Sequence, residues 1–308
     1  MIFVSVSLVQ THRDMPDFLS AIQKTDRAYL QLLLCPEYYK GQDSVMVKWN
    51  AETYKDSSHE QFKWGVELLD KLSLKGNESI LDIGCGDGKL TMEIAKRVPD
   101  GHVVGIDNSE EMISFATNNF PKNKYPNVDW QLMNATEINF DNEFDAAYSN
   151  AALHWVKDHV AVLKGVKKSL KPGGTILFQM AGKGNALNAA RVLVDVISKE
   201  KWSKYFIYGV SSSLSYYGTD DYHVWLKELG LVEKRVELIP KDASFNGRDG
   251  MRGNIRSVWM TFTDMIPEHL RDQFIEDLID GFDEKSPQDK FGYYHIDMMR
   301  LEVEAEKF

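Results

Sequence analysis

From Glu60 to Met180 the chain alternates short apolar runs with amphipathic segments, and this rhythm constrains the fold more than any other feature of the sequence. A helix offers one apolar stripe and a buried strand two apolar faces, so such a chain needs layers: helices packed on both sides of a sheet. Glu60–Ser73 carries Phe62, Val66, Leu69 and Leu72 near helical spacing, and Ser79–Ile83 is a short apolar strand. Gly88–Val98 reads as an amphipathic helix stopped by Pro99-Asp100-Gly101. The cycle continues with strand His102–Asp107, helix Ser109–Phe120 opened by an N-cap serine, and strand Val128–Met133. Strand Phe144–Asn150, helix Lys157–Leu170, the turn Lys171-Pro172-Gly173-Gly174 and strand Thr175–Met180 extend it to a doubly wound, largely parallel sheet.

After Met180 the rhythm changes. Ala181–Gly218 is polar, glycine-bearing and aromatic; helix Asp220–Leu229 and strand Leu231–Ile239 follow, then a mostly helical Lys241–Pro287 and a closing strand Tyr293–Glu306. Insertions at about 181–219 and 241–290 between late strands are expected to cap the carboxyl edge of the sheet, where ligands bind in this architecture. Residues 1–45 join no element of the pattern, and Met46 opens M-V-K-W-N-A-E-T-Y as a protein start would. The expectation is a dispensable extension over 1–45 and a single domain over 46–308.

With 43% hydrophobic residues among 308, there is material for a sizeable core. A net charge of −10 argues against a broad surface for nucleic acid or anionic membrane, which leaves small molecules and proteins as the expected partners and gives no indication of oligomeric state. Cys35 and Cys85 make neither a disulfide framework nor a CxxC metal pair, so no metal is expected. No run approaches the ~18 apolar residues of a membrane span, and the opening M-I-F-V-S-V lacks a basic flank. The expected location is the cytoplasm.

The chemistry begins at D-I-G-C-G-D-G, residues 82–88, at a strand-to-helix turn. A phosphate-binding P-loop requires glycine at position 83, where isoleucine stands, and Ser or Thr at 90, where leucine stands. The dinucleotide fingerprint begun at Gly84 requires glycine at 89, where lysine stands. Asp107 lies 19 positions beyond Gly88, near the interval of about 20 at which an acidic side chain reaches a ribose diol on the neighbouring strand. Asp82 would repel a pyrophosphate and attract an ammonium group. A ligand with an amino acid at one end and a nucleoside at the other meets all of these demands, and S-adenosylmethionine is one.

The ordered set W-N-A-E-T-Y-K-D-S-S-H-E-Q (49–61), I-L-D-I-G-C-G-D-G (80–88), V-G-I-D-N-S-E-E-M (104–112), N-A-T-E (134–137), S-N-A-A-L-H-W-V (149–156) and L-K-P-G-G-T (170–175) resembles the class I S-adenosylmethionine-dependent methyltransferases. Within them it is most similar to small-molecule enzymes of the trans-aconitate and juvenile hormone acid methyltransferase type. The resemblance implies a Rossmann-like α/β fold with a seven-stranded doubly wound sheet, its last strand antiparallel, and helical caps. It also implies methyl transfer from S-adenosylmethionine, leaving S-adenosylhomocysteine.

Carried across, the resemblance puts Asp82, Gly84, Cys85, Gly86 and Gly88 around the methionine part of the cofactor, and Asp107 on the ribose. Asn108 and Met112 would flank the adenine, Asn134 and Ala135 would face its edge, and Asn150 would lie by the transferred methyl. Gln61 would close over the cofactor towards the acceptor; Trp155 would wall the transfer cavity and His154 would offer a hydrogen bond or a base. Arg252 and Arg256, four apart on a helix, project from one face and could hold an acceptor carboxylate by bidentate hydrogen bonds. O-methylation of a carboxylate needs no base, since the acid is already ionised. N- or C-methylation, methylation of a carrier-bound acid, and a non-catalytic cofactor-binding role are the competing readings; a pocket above Asn150 lined by Arg252 and Arg256 would favour the free carboxylate, and one lined by apolar groups and carboxylates the other acceptors.

Overall fold

The computed structural model describes residues 59–206 and 214–308. The 1–45 extension and the 49–58 part of the first motif therefore lie outside the described residues. Helix α1 (His59–Leu69) leads into strand β1 (Ser79–Ile83), helix α2 (Lys89–Arg97), β2 (His102–Asp107), α3 (Glu110–Asn119), β3 (Val128–Leu132) and β4 (Phe144–Asn150). Then come α4 (His159–Ser169), β5 (Leu170–Ala181), α5 (Leu187–Ile197), the short α6 (Glu200–Ser203) and α7 (Thr219–Glu228). The chain ends with β6 (Leu231–Asn246), α8 (Gly247–Val258), the short α9 (Met260–Thr263), α10 (Glu268–Lys285) and β7 (Tyr293–Lys307).

The seven strands form one sheet in the order β3-β2-β1-β4-β5-β7-β6, parallel from β3 to β5, with β7 antiparallel to both of its neighbours. Consecutive residues of the central strands feed opposite faces. Leu81, Ala147, Ile176 and Phe178 pack with Val162, Leu163 and Val166 of α4. Ile80, Ala146, Tyr148 and Leu177 pack with Leu68 and Leu69 of α1 and Ile94 of α2. This is the period-two burial that a sheet covered on both faces imposes.

One expectation needs correction. Residues 240–246 do not begin a helical insertion: they prolong β6, pairing antiparallel with 293–299 of β7, from Pro240–Met299 to Asn246–Tyr293. β5 ends at Ala181 opposite Arg300, so this two-stranded ribbon rises past the sheet. With α5, α8 and α10 it encloses a separate core containing Leu193, Ile255, Phe274, Leu278, Phe282 and Ile296. The cap thus has an apolar core of its own and a wall continuous with the sheet.

Arg252 and Arg256 help to close the cap instead of reaching a ligand. Arg248, Arg252 and Arg256 stand one turn apart on α8 and face the acidic side of α10: Arg248 meets Glu276, Asp280 and Asp283, Arg252 meets Glu276 at 2.6 Å as well as Asp249, and Arg256 meets Asp272 at 2.8 Å. The spacing correctly put them on one face, but that face is turned to a neighbouring helix.

Helix α1 is fastened over the sheet from both ends. Tyr148 donates its hydroxyl to the Gly65 carbonyl at 2.7 Å, and Asn150 donates Nδ2–H to the Gln61 carbonyl at 2.9 Å. Gly65 permits this approach, since a Cβ there would lie 2.5 Å from Leu90 Cδ2 and 2.8 Å from Asn150 Nδ2. Beyond α1, Lys71 pairs with Glu302 of β7, which also accepts from Arg235 at 2.6 Å and from Gln179 at 2.8 Å. Burial alone would raise the Glu302 carboxyl; Lys71, Arg235 and Gln179 hold it below its ordinary value. Removing Glu302 costs these hydrogen bonds, but Lys71 and Arg235 are partly exposed and can turn to water, so the loss is about 1–3 kcal/mol. Glu302→Ala is therefore expected to lower the melting temperature by about 5 °C at 2–4 °C per kcal/mol, read by differential scanning calorimetry; a change of less than one degree would show that the cluster contributes little.

Candidate functional site

The strand order reverses between β1 and β4, so their outgoing connections diverge and leave a crevice at their carboxyl ends. The D-I-G-C-G-D-G turn leaves β1 into this crevice. Gly84 and Cys85 donate their N–H groups to the Ile106 carbonyl at 2.8 and 3.0 Å, which ties the turn to β2. Gly86 takes φ 52°, a left-handed conformation, and a Cβ built there meets nothing within 4 Å. Its bare backbone faces open space where a ligand can approach closely. Gly88 is different: it lines none of the cavities described below, and a Cβ there would strike Trp130 at 2.7 Å. It packs the helix against the sheet, and its expected place beside the methionine moiety is not observed.

Two hollows meet at this turn. The first is lined by Gly84 and Gly86 on one side, by Asp107, Asn108, Met112, Asn134 and Ala135 on a second, and by Ala152, Leu153 and Trp155 on the third. The second contains Asp82, Gly84, Cys85, Gly86 and Asn150 and is roofed by Gln61 and Phe62 of α1. Their shared glycines make one bent groove, one arm under α1 and the other along β2.

Asp107 fixes the corner. Its Oδ2 accepts from Gly86 N–H at 3.0 Å and its Oδ1 from Ser109 N–H at 2.9 Å, so each oxygen keeps lone-pair capacity for a hydroxyl. Burial raises its pKa against the pull of those backbone donors. Asn134 Oδ1 accepts from both the N–H and the hydroxyl of Thr136, each at 3.0 Å, capping the turn Ala135–Glu137. Its carbonyl is thus engaged locally, and Nδ2 is the donor it can offer to the groove.

At the other arm Asp82 is 2% exposed and accepts a 2.6 Å hydrogen bond from Thr91 Oγ1. Burial pushes its carboxyl up to about 7, the Thr91 bond opposes this, and the Asp107 charge adds to it. Above it, Gln61 Oε1 and Asn150 Oδ1 are buried acceptors with no donor among the described residues. Two such orphans beside a carboxylate suit a ligand carrying several N–H groups, as an amino-acid ammonium does.

A third cavity, of about 150 Å³, opens under the cap on the far side of α1. Gln61 belongs to its wall as well as to the groove, so the two spaces meet at that side chain. Trp64, Leu193, Tyr216, Phe245, Trp259 and Phe262 supply most of its large surfaces. Nothing local in the sequence marks Trp64, Tyr216 and Trp259 as neighbours, since they stand in three separate segments.

The Leu153–Trp155 turn departs from expectation. Trp155 lines the nucleoside-sized arm of the groove and is not on the wall of the capped cavity. His154 is on neither; its Nδ1 accepts from Ala181 N–H at 3.4 Å, which puts the hydrogen of the neutral ring on Nε2. Burial holds its pKa well below the ordinary value, with the Arg300 guanidinium and His159 adding to the effect. Arg300 itself is buried against the Trp64 ring, 5.4 Å from its centroid, and does not reach the cavity wall. His159 holds the turn from behind: Nε2 bonds the Leu153 carbonyl at 2.8 Å and Nδ1 meets the Tyr222 hydroxyl at 2.7 Å. A carbonyl can only accept, so Nε2 donates and Tyr222 donates to Nδ1.

A methyltransferase-domain family model matches residues 74–211. The chain is 30% identical over 203 residues to an uncharacterized methyltransferase of Schizosaccharomyces pombe, covering 64% of this chain and 76% of that one. It is 36% identical over 135 residues to a trans-aconitate 2-methyltransferase of Variovorax paradoxus, covering 44% of this chain and about half, 51%, of that enzyme. Among solved structures, a phosphoethanolamine N-methyltransferase of Haemonchus contortus bound to S-adenosylhomocysteine overlays with a TM-score of 0.56 at 19% identity, covering 83% of this chain and 56% of that one, a likeness of fold. The chain belongs to the methyltransferase family, as a class I, S-adenosylmethionine-dependent enzyme. Among the described residues no cluster of His, Cys, Asp and Glu could hold a metal ion, and no helix is long and apolar enough to cross a membrane.

Two expectations follow from the geometry. Asp82 has a folded-state pKa raised from 3.8 to about 7, so between those values the folded protein holds a proton that the unfolded chain has lost, and stability falls as pH rises through the window. Asp82→Asn should therefore raise the melting temperature of the ligand-free protein at pH 8 and change it little at pH 4, a comparison made by thermal denaturation; equal shifts at both values would contradict the assignment. Arg252→Ala should cost less than about 1 kcal/mol, its pair being partly exposed, and leave the acceptor KM within twofold of wild type in steady-state kinetics; a tenfold rise would restore the carboxylate clamp.

Proposed function

We propose that the chain O-methylates the carboxylate of a small molecule, the acid occupying the capped cavity and the methyl donor the bent groove. The observation that carries this reading is the single side chain, Gln61, shared by the wall of the groove and the wall of the cavity. S-adenosylmethionine supplies an electrophilic methyl on a sulfonium whose departure as a thioether needs no protonation.

The protein's part is to hold, orient and dry the reactants. Asp107 is suited to accept from a ribose diol with the lone pairs that Gly86 and Ser109 leave, Asn134 Nδ2 to donate to a purine ring nitrogen, and Met112 and Trp155 to bracket the base. Asp82, Asn150 and Gln61 form an acceptor-rich end for an ammonium. A carboxylate oxygen that attacks the methyl forms one O–C bond while the C–S pair returns to sulfur, and no proton moves. Opposite charges disappear in that step, so an apolar wall favours it: the carboxylate sheds its hydration on entry and is not hydrogen-bonded by a cation that would lower its nucleophilicity. The arginine lining expected for a carboxylate acceptor is not found: among the described residues no Arg, Lys or His lines the cavity, so in this reading the sulfonium offsets the acid's charge. An amine acceptor would have to lose a proton first, and His154, the base offered for that role by the sequence, is off the wall. The open cavity beside the groove also favours catalysis over a purely cofactor-binding role.

Isothermal titration with S-adenosylmethionine tests the frame of this reading. Wild type should bind, and Asp107→Ala should weaken binding by about ten- to a hundredfold, the worth of one or two hydrogen bonds to a charged group. Absence of binding by the wild type, or equal affinity of the variant, would contradict it.

A further inference from the structure

We infer that the acceptor is a compact apolar monocarboxylic acid, of about the bulk of a benzoate, and not a polycarboxylate or a long-chain acid. This deepens the proposed O-methylation and rests on it for the identity of the reacting group, while size and charge class come from the cavity itself.

The size argument is volumetric. An apolar cavity of about 150 Å³ lined by Leu, Ile and Phe stays dry and takes one benzene. The capped cavity has about the same volume, 150 Å³, and walls of Leu193, Val258, Trp259, Phe262, Ile296 and Met298. One ring or a short branched chain fills it. An acid with a chain of ten carbons does not fit without moving aromatic side chains packed to crystal-like density.

The charge argument is a count. One carboxylate is compensated at the open end by the sulfonium it attacks. A second or third would lie against the apolar wall, where an ionised group without a partner is strongly disfavoured. Among the described residues the lining provides no cation for it. The arginines that could have compensated such charges are committed to α10. Tyr216, Asn185 and Asn254 leave the cavity a few neutral hydrogen-bonding groups, enough for one polar substituent on the acid.

The test is a titration of the full chain, saturated with sinefungin, whose ammonium stands where the sulfonium does and transfers no methyl, with benzoate, 3-methylbutanoate, decanoate and trans-aconitate. In parallel, the same acids are incubated with S-adenosylmethionine and assayed for methyl esters by mass spectrometry. The expected result is a Kd for benzoate or 3-methylbutanoate at least tenfold below those for decanoate and trans-aconitate, with an ester of the preferred acid. Within the compact acids, each added buried methylene should tighten binding about fourfold until the cavity is full. Tighter binding of decanoate or trans-aconitate, or binding of none of the four, would overturn the inference. The predicted ranking of Kd values with no ester formed would uphold the inference and contradict the O-methylation reading. Ala190→Phe, which fills the cavity from a partly buried wall position, should weaken benzoate binding more than tenfold with S-adenosylmethionine affinity and melting temperature retained, and Phe262→Ala should shift preference towards decanoate. Unchanged benzoate affinity in a folded Ala190→Phe protein would place the acid elsewhere and overturn the inference.

Discussion

The site depends on β1 and β4 ending side by side while their connections leave in opposite directions. Two adjacent parallel strands present Asp82, next to the end of β1, and Asn150, the last residue of β4, to one crevice, and the divergent connections keep the chain itself out of it. The turn after β1 then needs little more than glycine where backbone must face open space. Asp107 on β2 braces it through the Gly86 N–H, so the corner of the groove is built from the ends of neighbouring strands and inherits their rigidity.

On that base the later segments add a second space. The β6–β7 ribbon carries one cap wall above the sheet, α5, α8 and α10 close around it, and α1 lies between cap and cofactor groove. Because α1 is fixed by Tyr148 and Asn150 below and by the Lys71–Glu302 pair beyond its end, Gln61 is held at the boundary of both spaces. A group transferred across that boundary would travel between two walls that the same helix positions. The electrostatics are divided in the same way: buried carboxylates lie on the cofactor side, and on the other, apart from Glu60, the lining is neutral or apolar.

The alternating half of the fold was legible in the sequence because its signals are local. Ser79–Ile83, His102–Asp107 and Phe144–Asn150 are apolar runs bounded by turn residues, and their ends agree with the strands observed. Lys241-Asp242-Ala243 reads as the start of a helical segment, and only pairing with residues more than fifty positions away makes it strand. Asp82, Asp107 and Asn150 could be picked out for the same reason, since each stands at or next to the end of a strand. Gly88 shows the limit: the motif marks a glycine, but whether it clears space for a ligand or for Trp130 is settled by packing. Arg252 and Arg256 show it again, because spacing identifies a helix face and says nothing of the acidic helix opposite. The acceptor cavity draws on α1, α5, the segment at 214–216, β6, α8, α9 and β7, and no single stretch announces it.

The central claim is that donor and acceptor meet at Gln61, and a crystal structure of the chain with S-adenosylhomocysteine tests it most directly. The account predicts ribose hydroxyls on Asp107, the amino group within hydrogen-bonding distance of Gln61 Oε1 or Asn150 Oδ1, and the sulfur facing the capped cavity. A nucleoside bound away from Asp107, or a sulfur turned from Gln61 towards solvent, would contradict it.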